Sequence, residues 1–105
     1  MSRLRIWLDD DEENRKTPKG YNYRARTAEE VIGLIKKGMV EMVSLDNDLG
    51  KGYTEGKTVA QYIEKNYIMG RIEYVDFFPH TANPIAFEEI LACKRSIIKY
   101  INSKR

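Results

Sequence analysis

Short apolar runs recur along the chain, and three of them end in polar residues that can bind ligands. Leu4–Leu8 is followed by three aspartates, Met42–Leu45 by Asp46–Asp48, and Ile72–Phe78 by the sequence PHTANP. Apolar runs without polar alternation are typical of strands in a parallel sheet. Tyr21–Arg26 alternates apolar and polar residues, which predicts a short edge strand.

Three segments between and after these runs have helical spacing. Thr27 and Glu30 form a capping box, which predicts a helix that ends at Gly38. The next apolar stripe runs from Val59 to Tyr67, and Gly70 ends it. Asn83 and Pro84 are favoured residues for a helix start. They predict a long last helix with an apolar stripe formed by Phe87, Ile90, Leu91, Ile98 and Ile101.

The predicted element order is β, β, α, β, α, β, α. Right-handed crossovers would place the third strand beside the first and the fourth strand beyond the third. We therefore expect one three-layer α/β domain over residues 1–105, with a mainly parallel four-stranded sheet of strand order 2-1-3-4.

Composition narrows the function classes. The chain has 105 residues, enough for one modest core, and its net charge is only +2, from 18 basic and 16 acidic residues. So small a net charge predicts no strong binding to duplex DNA or to a membrane. The single Cys93 cannot form an intrachain disulfide, no segment has the apolar length of a membrane span, and the start is too acidic for a secretory signal. We therefore expect a cytoplasmic protein.

The carboxyl ends of parallel strands meet at one edge of the sheet, where ligands bind in open α/β sheets. Several polar side chains should converge there, and the sole histidine is among them. Clustered carboxylates suit Mg²⁺ or another divalent cation. The alternative is that the aspartates only form turns and an exposed acidic loop. The converging residues are Asp9, Asp10, Asp46, Asp48, His80 and Thr81.

Four ordered motifs resemble a known family. The acid pair after the first strand and the sequence LDNDLG resemble response-regulator receiver domains, but nothing matches the receiver lysine and no helix directly follows the first strand. The sequences WLDD, RTAEE, SLDNDLG and HTANP resemble the small cyclic-phosphate-processing receiver-like domains more closely. This resemblance implies a flavodoxin- or receiver-like fold, truncated relative to a full receiver. It also implies an activity on cyclic or terminal phosphates of nucleotides or RNA ends.

The sequence favours an enzyme, a metal-dependent phosphoesterase that acts on such a phosphate. Asp9 or Asp10 with Asp46 would hold the cation, and either Asp46 or a water would attack phosphorus. Asp48 or His80 would protonate the leaving oxygen. The phosphate contacts expected are Thr81, Asn83 at the start of the last helix, and Arg26.

Two alternatives stay open at this point. The first is a binding module that captures a cyclic nucleotide or another phosphorylated ligand without hydrolysis, with Tyr21, Tyr23 and Tyr53 available to stack on a base. The second is a signalling receiver domain phosphorylated on Asp46. A homodimer also stays open, because four aromatic residues could either complete the core or form a dimer contact: Tyr62, Tyr67, Phe77 and Phe78.

Overall fold

A computed structural model of the chain describes residues 3–104. It contains four strands and three helices, in the order that the apolar pattern predicts. The strands are Leu4–Leu8 (β1), Tyr23–Ala25 (β2), Val40–Leu45 (β3) and Asp76–Pro79 (β4). The helices are Ala28–Lys36 (α1), Lys57–Ile68 (α2) and Pro84–Ser103 (α3).

The four strands form one sheet in the order β2-β1-β3-β4, and all three pairings are parallel. Leu8 at the end of β1 is in register with Ala25 and with Leu45, and Leu45 is in register with Pro79. All four strands therefore end at the same level. The predicted strand order is confirmed, and the residues after the strands meet at one edge.

The predicted helix starts are also confirmed. The Thr27 hydroxyl accepts a hydrogen bond from the Glu30 N–H at 3.2 Å, and the Asn83 side-chain oxygen accepts from two N–H groups of the first turn of α3. Helix α2 begins differently, because Gly56 at its start has no side chain to cap it. The fully buried Asn47 takes over this role, since its side-chain oxygen accepts from the Lys57 N–H at 3.0 Å.

The core lies between the sheet and the helices as one cluster of buried side chains. The strands contribute Ile6, Leu8, Val43, Leu45 and Phe77, together with residues from all three helices. Side chains that alternate to the other face of the sheet lie outside this cluster; they include Trp7, Met42 and Phe78. The connection between β1 and β2 contains no helix, so the described residues form two layers rather than the three that the pattern predicts.

Two predicted boundaries also differ. The last strand was expected over residues 72–78, but β4 begins only at Asp76, because β3 pairs with it only from Met42 onwards. On α3, Phe87 and Ile98 are 38% and 50% exposed, and the buried stripe instead includes Cys93 and Ile97. Within residues 3–104, no helix has both the length and the apolar character needed to cross a membrane.

Gly56 gives a test of how tightly the segment between β3 and α2 is packed. A Cβ at this position would lie 1.8 Å from the Asp46 carbonyl oxygen, so we expect Gly56→Ala to lower the free energy of unfolding by about 2–4 kcal/mol. The matched control is Gly33→Ala in α1, where a Cβ meets nothing within 4 Å. There the free energy of unfolding should rise by about 0.5–1 kcal/mol. Urea unfolding measures both, and equal effects would contradict this packing.

Candidate functional site

Three polar residues follow directly on three neighbouring strands, and the sheet itself fixes their backbones. Each donates its N–H to the last residue of the adjacent strand. Asp9 donates to Ala25 at 3.1 Å, Asp46 to Leu8 at 3.0 Å, and His80 to Leu45 at 2.9 Å. Because each bond continues the ladder of the sheet, these side chains start from fixed positions at the carboxyl edge.

The side chains of Asp9, Asp46 and His80 form the candidate site. One possible ligand atom from each residue lies within 4.8 Å of the other two. Asp9 is fully buried and Asp46 is 4% exposed, so water solvates neither carboxylate well. Two carboxylates and an imidazole at these separations could hold a divalent cation. The structure thus brings together three of the residues expected from the sequence.

Both ring nitrogens of His80 have hydrogen-bond partners, and an aromatic ring stacks on one face of the imidazole. Its Nε2 lies 3.1 Å from Asp9 Oδ2, and its Nδ1 lies 2.8 Å from Ser44 Oγ. An ionised carboxylate can only accept, so Nε2–H donates to Asp9, and Nδ1 accepts from the Ser44 hydroxyl. The Trp7 ring stacks on the imidazole with the centroids 3.7 Å apart. Burial lowers the pKa of His80, against the opposing effect of Asp9, and so favours the neutral imidazole.

Sequence reasoning missed Trp7 and Ser44 as site residues, although both lie inside the motifs it singled out. Trp7 pairs with Ser44 across β1 and β3, and both face away from the core. Strand alternation predicts this shared face. It does not predict that the imidazole of His80 returns over the same face, since that depends on the turn after β4.

A second feature that sequence reasoning missed is the guanidinium of Arg15, which lies beside the two carboxylates. Arg15 Nη1 lies 3.5 Å from Asp9 Oδ2 and 3.4 Å from Asp46 Oδ2. The loop after β1 folds back to bring it there, because the Asp9 carboxylate accepts from the Asp11 N–H and the Asp11 carbonyl accepts from the Arg15 N–H. Arg24 then donates to the Arg15 carbonyl at 2.8 Å. Arg15 thus supplies a positive charge beside Asp46 where no receiver lysine exists.

Arg24 itself is mostly buried beside Asp9. Its Nη2 lies 3.9 Å from Asp9 Oδ1, which is too far for a hydrogen bond. Nη2 and Nε are both buried and have no hydrogen-bond partner among the described residues. Buried donors without a partner are rare in folded proteins, so these two groups favour an acceptor at the site that the chain does not provide.

The pKa of Asp46 is raised from 3.8 to about 6. Burial is the largest cause and the Asp9 charge is the second, while Arg15 acts in the opposite direction. The positive charge of Arg15 therefore only partly offsets the effects of burial and of the Asp9 charge on this pKa. A bound divalent cation would offset the rest.

Not all of the expected site residues join the cluster. Asp48 is exposed on the loop after β3, and Asp10 lies in a neighbouring cleft. Arg26 is exposed and pairs with Glu12 at 3.3 Å. The Thr81 hydroxyl is buried and accepts from the Asn83 N–H at 3.1 Å.

The start of α3 has fewer free donors than the sequence suggests. Pro84 has no N–H, and the Asn83 side chain already accepts from Ile85 and Ala86. The Phe87 N–H donates to the Asn83 carbonyl. Every first-turn donor is therefore used within the helix, and a phosphate there would have to displace the Asn83 side chain.

The raised pKa of Asp46 predicts a pH-dependent effect on stability. A raised pKa means that the folded protein binds this proton more tightly than the unfolded chain, so ionisation near pH 6 destabilises the fold. Asp46→Asn stays neutral and should therefore raise the free energy of unfolding at pH 8, with chelator present, by about 2 kcal/mol. The gain should shrink towards zero below pH 4.

Urea unfolding at pH 4 and pH 8 checks this expectation. The exposed Asp48→Asn is the matched control and should change the free energy of unfolding by less than about 0.5 kcal/mol at either pH. A gain from Asp46→Asn that is the same at both pH values would show that the charge is not its cause.

Comparison with known families agrees with this geometry. The family model described as "Cyclic-phosphate processing Receiver domain" matches residues 4–96, a span that contains every strand and all three residues of the candidate site. No curated protein and no solved structure matches the chain. Since the match covers most of the sequence, the chain belongs to the family of cyclic-phosphate processing receiver domains.

Proposed function

We propose that the protein is a metal-dependent phosphoesterase that acts on a cyclic or terminal phosphate of a nucleotide or of an RNA end. The observation that carries this proposal is the meeting of Asp9, Asp46 and His80 at the carboxyl edge of the sheet, with ligand atoms within 4.8 Å of one another. Membership of a family named for cyclic-phosphate processing supports the choice of substrate class.

The donor set fits a divalent cation, because a cation would stabilise the ionised form of Asp46, whose pKa is raised by burial and by the neighbouring Asp9. Asp9 and Asp46 would hold Mg²⁺ through carboxylate oxygens, which leaves His80 free for proton transfer. When bound, the cation would supply positive charge that polarises the phosphate oxygens. The Arg15 guanidinium would have to move aside or turn towards the phosphate.

Side chains of the protein would bind the phosphate and transfer the proton. Arg15 and the unpartnered N–H groups of Arg24 would contact phosphate oxygens. In the hydrolysis of a cyclic diester, the oxygen of a water forms a new bond to phosphorus and one ring P–O bond breaks. The leaving oxygen takes up a proton. To act as the acid, His80 would be doubly protonated, with its Nδ1–H donating to Ser44. It would give the Nε2 proton to the leaving oxygen and so become the neutral imidazole that burial favours. The exposed position of Asp48 makes His80 the better candidate for this proton transfer.

Phosphorus NMR tests the activity directly. The substrates are cyclic mononucleotides, cyclic oligonucleotides and RNA ends bearing a cyclic phosphate, each with Mg²⁺ or Mn²⁺. The wild-type protein should convert at least one substrate to a new resonance, and chelator should stop the reaction. Asp46→Asn should lower the rate at least about a hundredfold. Full activity of this variant would remove Asp46 from the mechanism.

A pair of variants separates the two candidate proton donors. His80→Asn should lower the rate by about a hundredfold or more, since general acid catalysis contributes about that much. Asp48→Asn should stay within about threefold of wild type, because Asp48 lies outside the cluster. The reverse result would transfer the proton-donor role to Asp48.

One observation favours a second candidate function, a binding module without turnover. Arg15 lies within 3.5 Å of the Asp9 carboxylate and 3.4 Å of the Asp46 carboxylate, and together with Arg24 it could hold a phosphate. This candidate predicts that the phosphorus resonances broaden equally with wild type and Asp46→Asn, without any conversion.

A further inference from the structure

A cleft of about 370 Å³ opens beside the candidate site. Its volume is at the lower end of the range of about 300–1,000 Å³ that is typical of small-molecule sites. The cleft lies between the loop after β1, the start of α1 and the loop after β3. Its lining residues are Asp10, Arg26, Thr27, Leu49, Gly50 and Tyr53.

The topology of the sheet explains why a cleft occurs there. The chain leaves β1 towards β2 on one side, and it leaves β3 towards β4 on the other. The loops after β1 and β3 therefore diverge, and such switch points are where open α/β sheets bind ligands. Asp9 and Asp10 are consecutive, so one points into the candidate site while the next lines the cleft. A single ligand could occupy both.

The lining of the cleft suits a flat, partly apolar ligand. Tyr53 is 60% exposed, although its ring lies directly over Gly50, where a Cβ would be 3.2 Å from Tyr53 Cδ2 and 3.7 Å from Asp10 Oδ2. Among residues 3–104, the Asp10 side chain has no hydrogen bond or ion pair within the usual distances. The cleft thus offers a large aromatic ring and a free acceptor, both near the Cβ position of one glycine.

The wall that carries Tyr53 is held in place. The Tyr53 N–H donates to the Gly50 carbonyl at 3.1 Å, which closes a turn. The φ of Gly50 is +109°, a conformation that favours glycine. The next residue, Thr54, donates its hydroxyl to Glu29 on α1. Tyr53 is thus exposed but anchored on both sides, which lowers the entropy lost when a ligand stacks on it.

We propose that this cleft binds the base and sugar of a nucleoside cyclic phosphate, with the base stacked on Tyr53 and its amino group directed to Asp10. The assignment of the phosphate to the neighbouring carboxylates rests on the proposed function, but the base site does not. Asp10 can only accept hydrogen bonds, so it favours cytosine over uracil, whose single edge N–H is flanked by two carbonyl oxygens.

NMR titration in chelator tests the base site without turnover. Cytidine and cytidine 2′,3′-cyclic phosphate should both shift the amide resonances of Leu49, Gly50 and Tyr53. Tyr53→Ala should weaken binding of the cyclic phosphate by about ten- to a hundredfold, the range expected for one stacked base. Tyr53→Phe, which keeps the ring, should stay within about threefold. The control Tyr100→Ala removes a tyrosine at the far end of α3 and should leave binding unchanged.

The same titration tests the role of Asp10. Cytidine 2′,3′-cyclic phosphate should bind about five- to tenfold more tightly than the uridine compound, and Asp10→Asn should remove most of this difference. Absence of amide shifts at the cleft, or equal affinity of Tyr53→Ala and wild type, would overturn the base site.

Glycerol 1,2-cyclic phosphate, which has no base, separates this inference from the proposed function. If the wild-type protein with divalent cations opens this compound and the cytidine compound equally well, without shifts at the cleft, the base site is wrong and the phosphoesterase stands. If cytidine shifts the cleft resonances and Tyr53→Ala abolishes the shifts, the base site stands even when no cyclic phosphate is opened.

Discussion

The Asp9 and Asp46 carboxylates lie side by side where water hardly reaches them, and most of the site can be understood as a response to their repulsion. Asp9 accepts from the Asp11 N–H and from His80 Nε2. Arg15 spans both carboxylates. Even so, burial and the Asp9 charge together keep the pKa of Asp46 raised to about 6.

The sheet determines where these two carboxylates lie. The three strands that carry the site end in register, and the first residue after each is tied to the neighbouring strand by one more hydrogen bond. The backbones of Asp9 and Asp46 therefore cannot move apart without disrupting the ladder. Gly56 and Asn47 add a second constraint, because α2 begins against the backbone of Asp46 and is capped by the residue that follows it. Stability is given up locally to hold a binding geometry, as is common at functional sites.

The sequence predicted the parts of this structure that depend on local pattern. Strand order followed from the alternation of elements and the handedness of crossovers, and the Thr27 and Asn83 caps followed from residue type. Asp9, Asp46 and His80 could be placed together because each follows an apolar run. Features that depend on side-chain direction were harder to predict. The predicted stripe of α3 included the exposed residues Phe87 and Ile98, because a small error in phase shifts the apparent buried face of a twenty-residue helix.

The remaining site features depend on loops, for which a single sequence contains little information. Arg15 lies six residues after Asp9 in a polar segment, and only the folded turn brings it back over the carboxylates. The absence of a helix between β1 and β2 was recognised from the composition of that segment, but its consequence, a face of the sheet without helices, was not. The direction of the Asp48 side chain was equally inaccessible, since it lies only two residues after the buried Asp46 and is exposed.

The missing helix between β1 and β2 has a consequence for how this site can diversify. Residues 12–20 of the connecting loop are all exposed, so substitutions and changes of length there do not disturb the packing of the core. Arg15, whose guanidinium lies beside the Asp9 and Asp46 carboxylates, belongs to this loop. The charge at the site can therefore be altered by substitutions in a segment that lies outside the core.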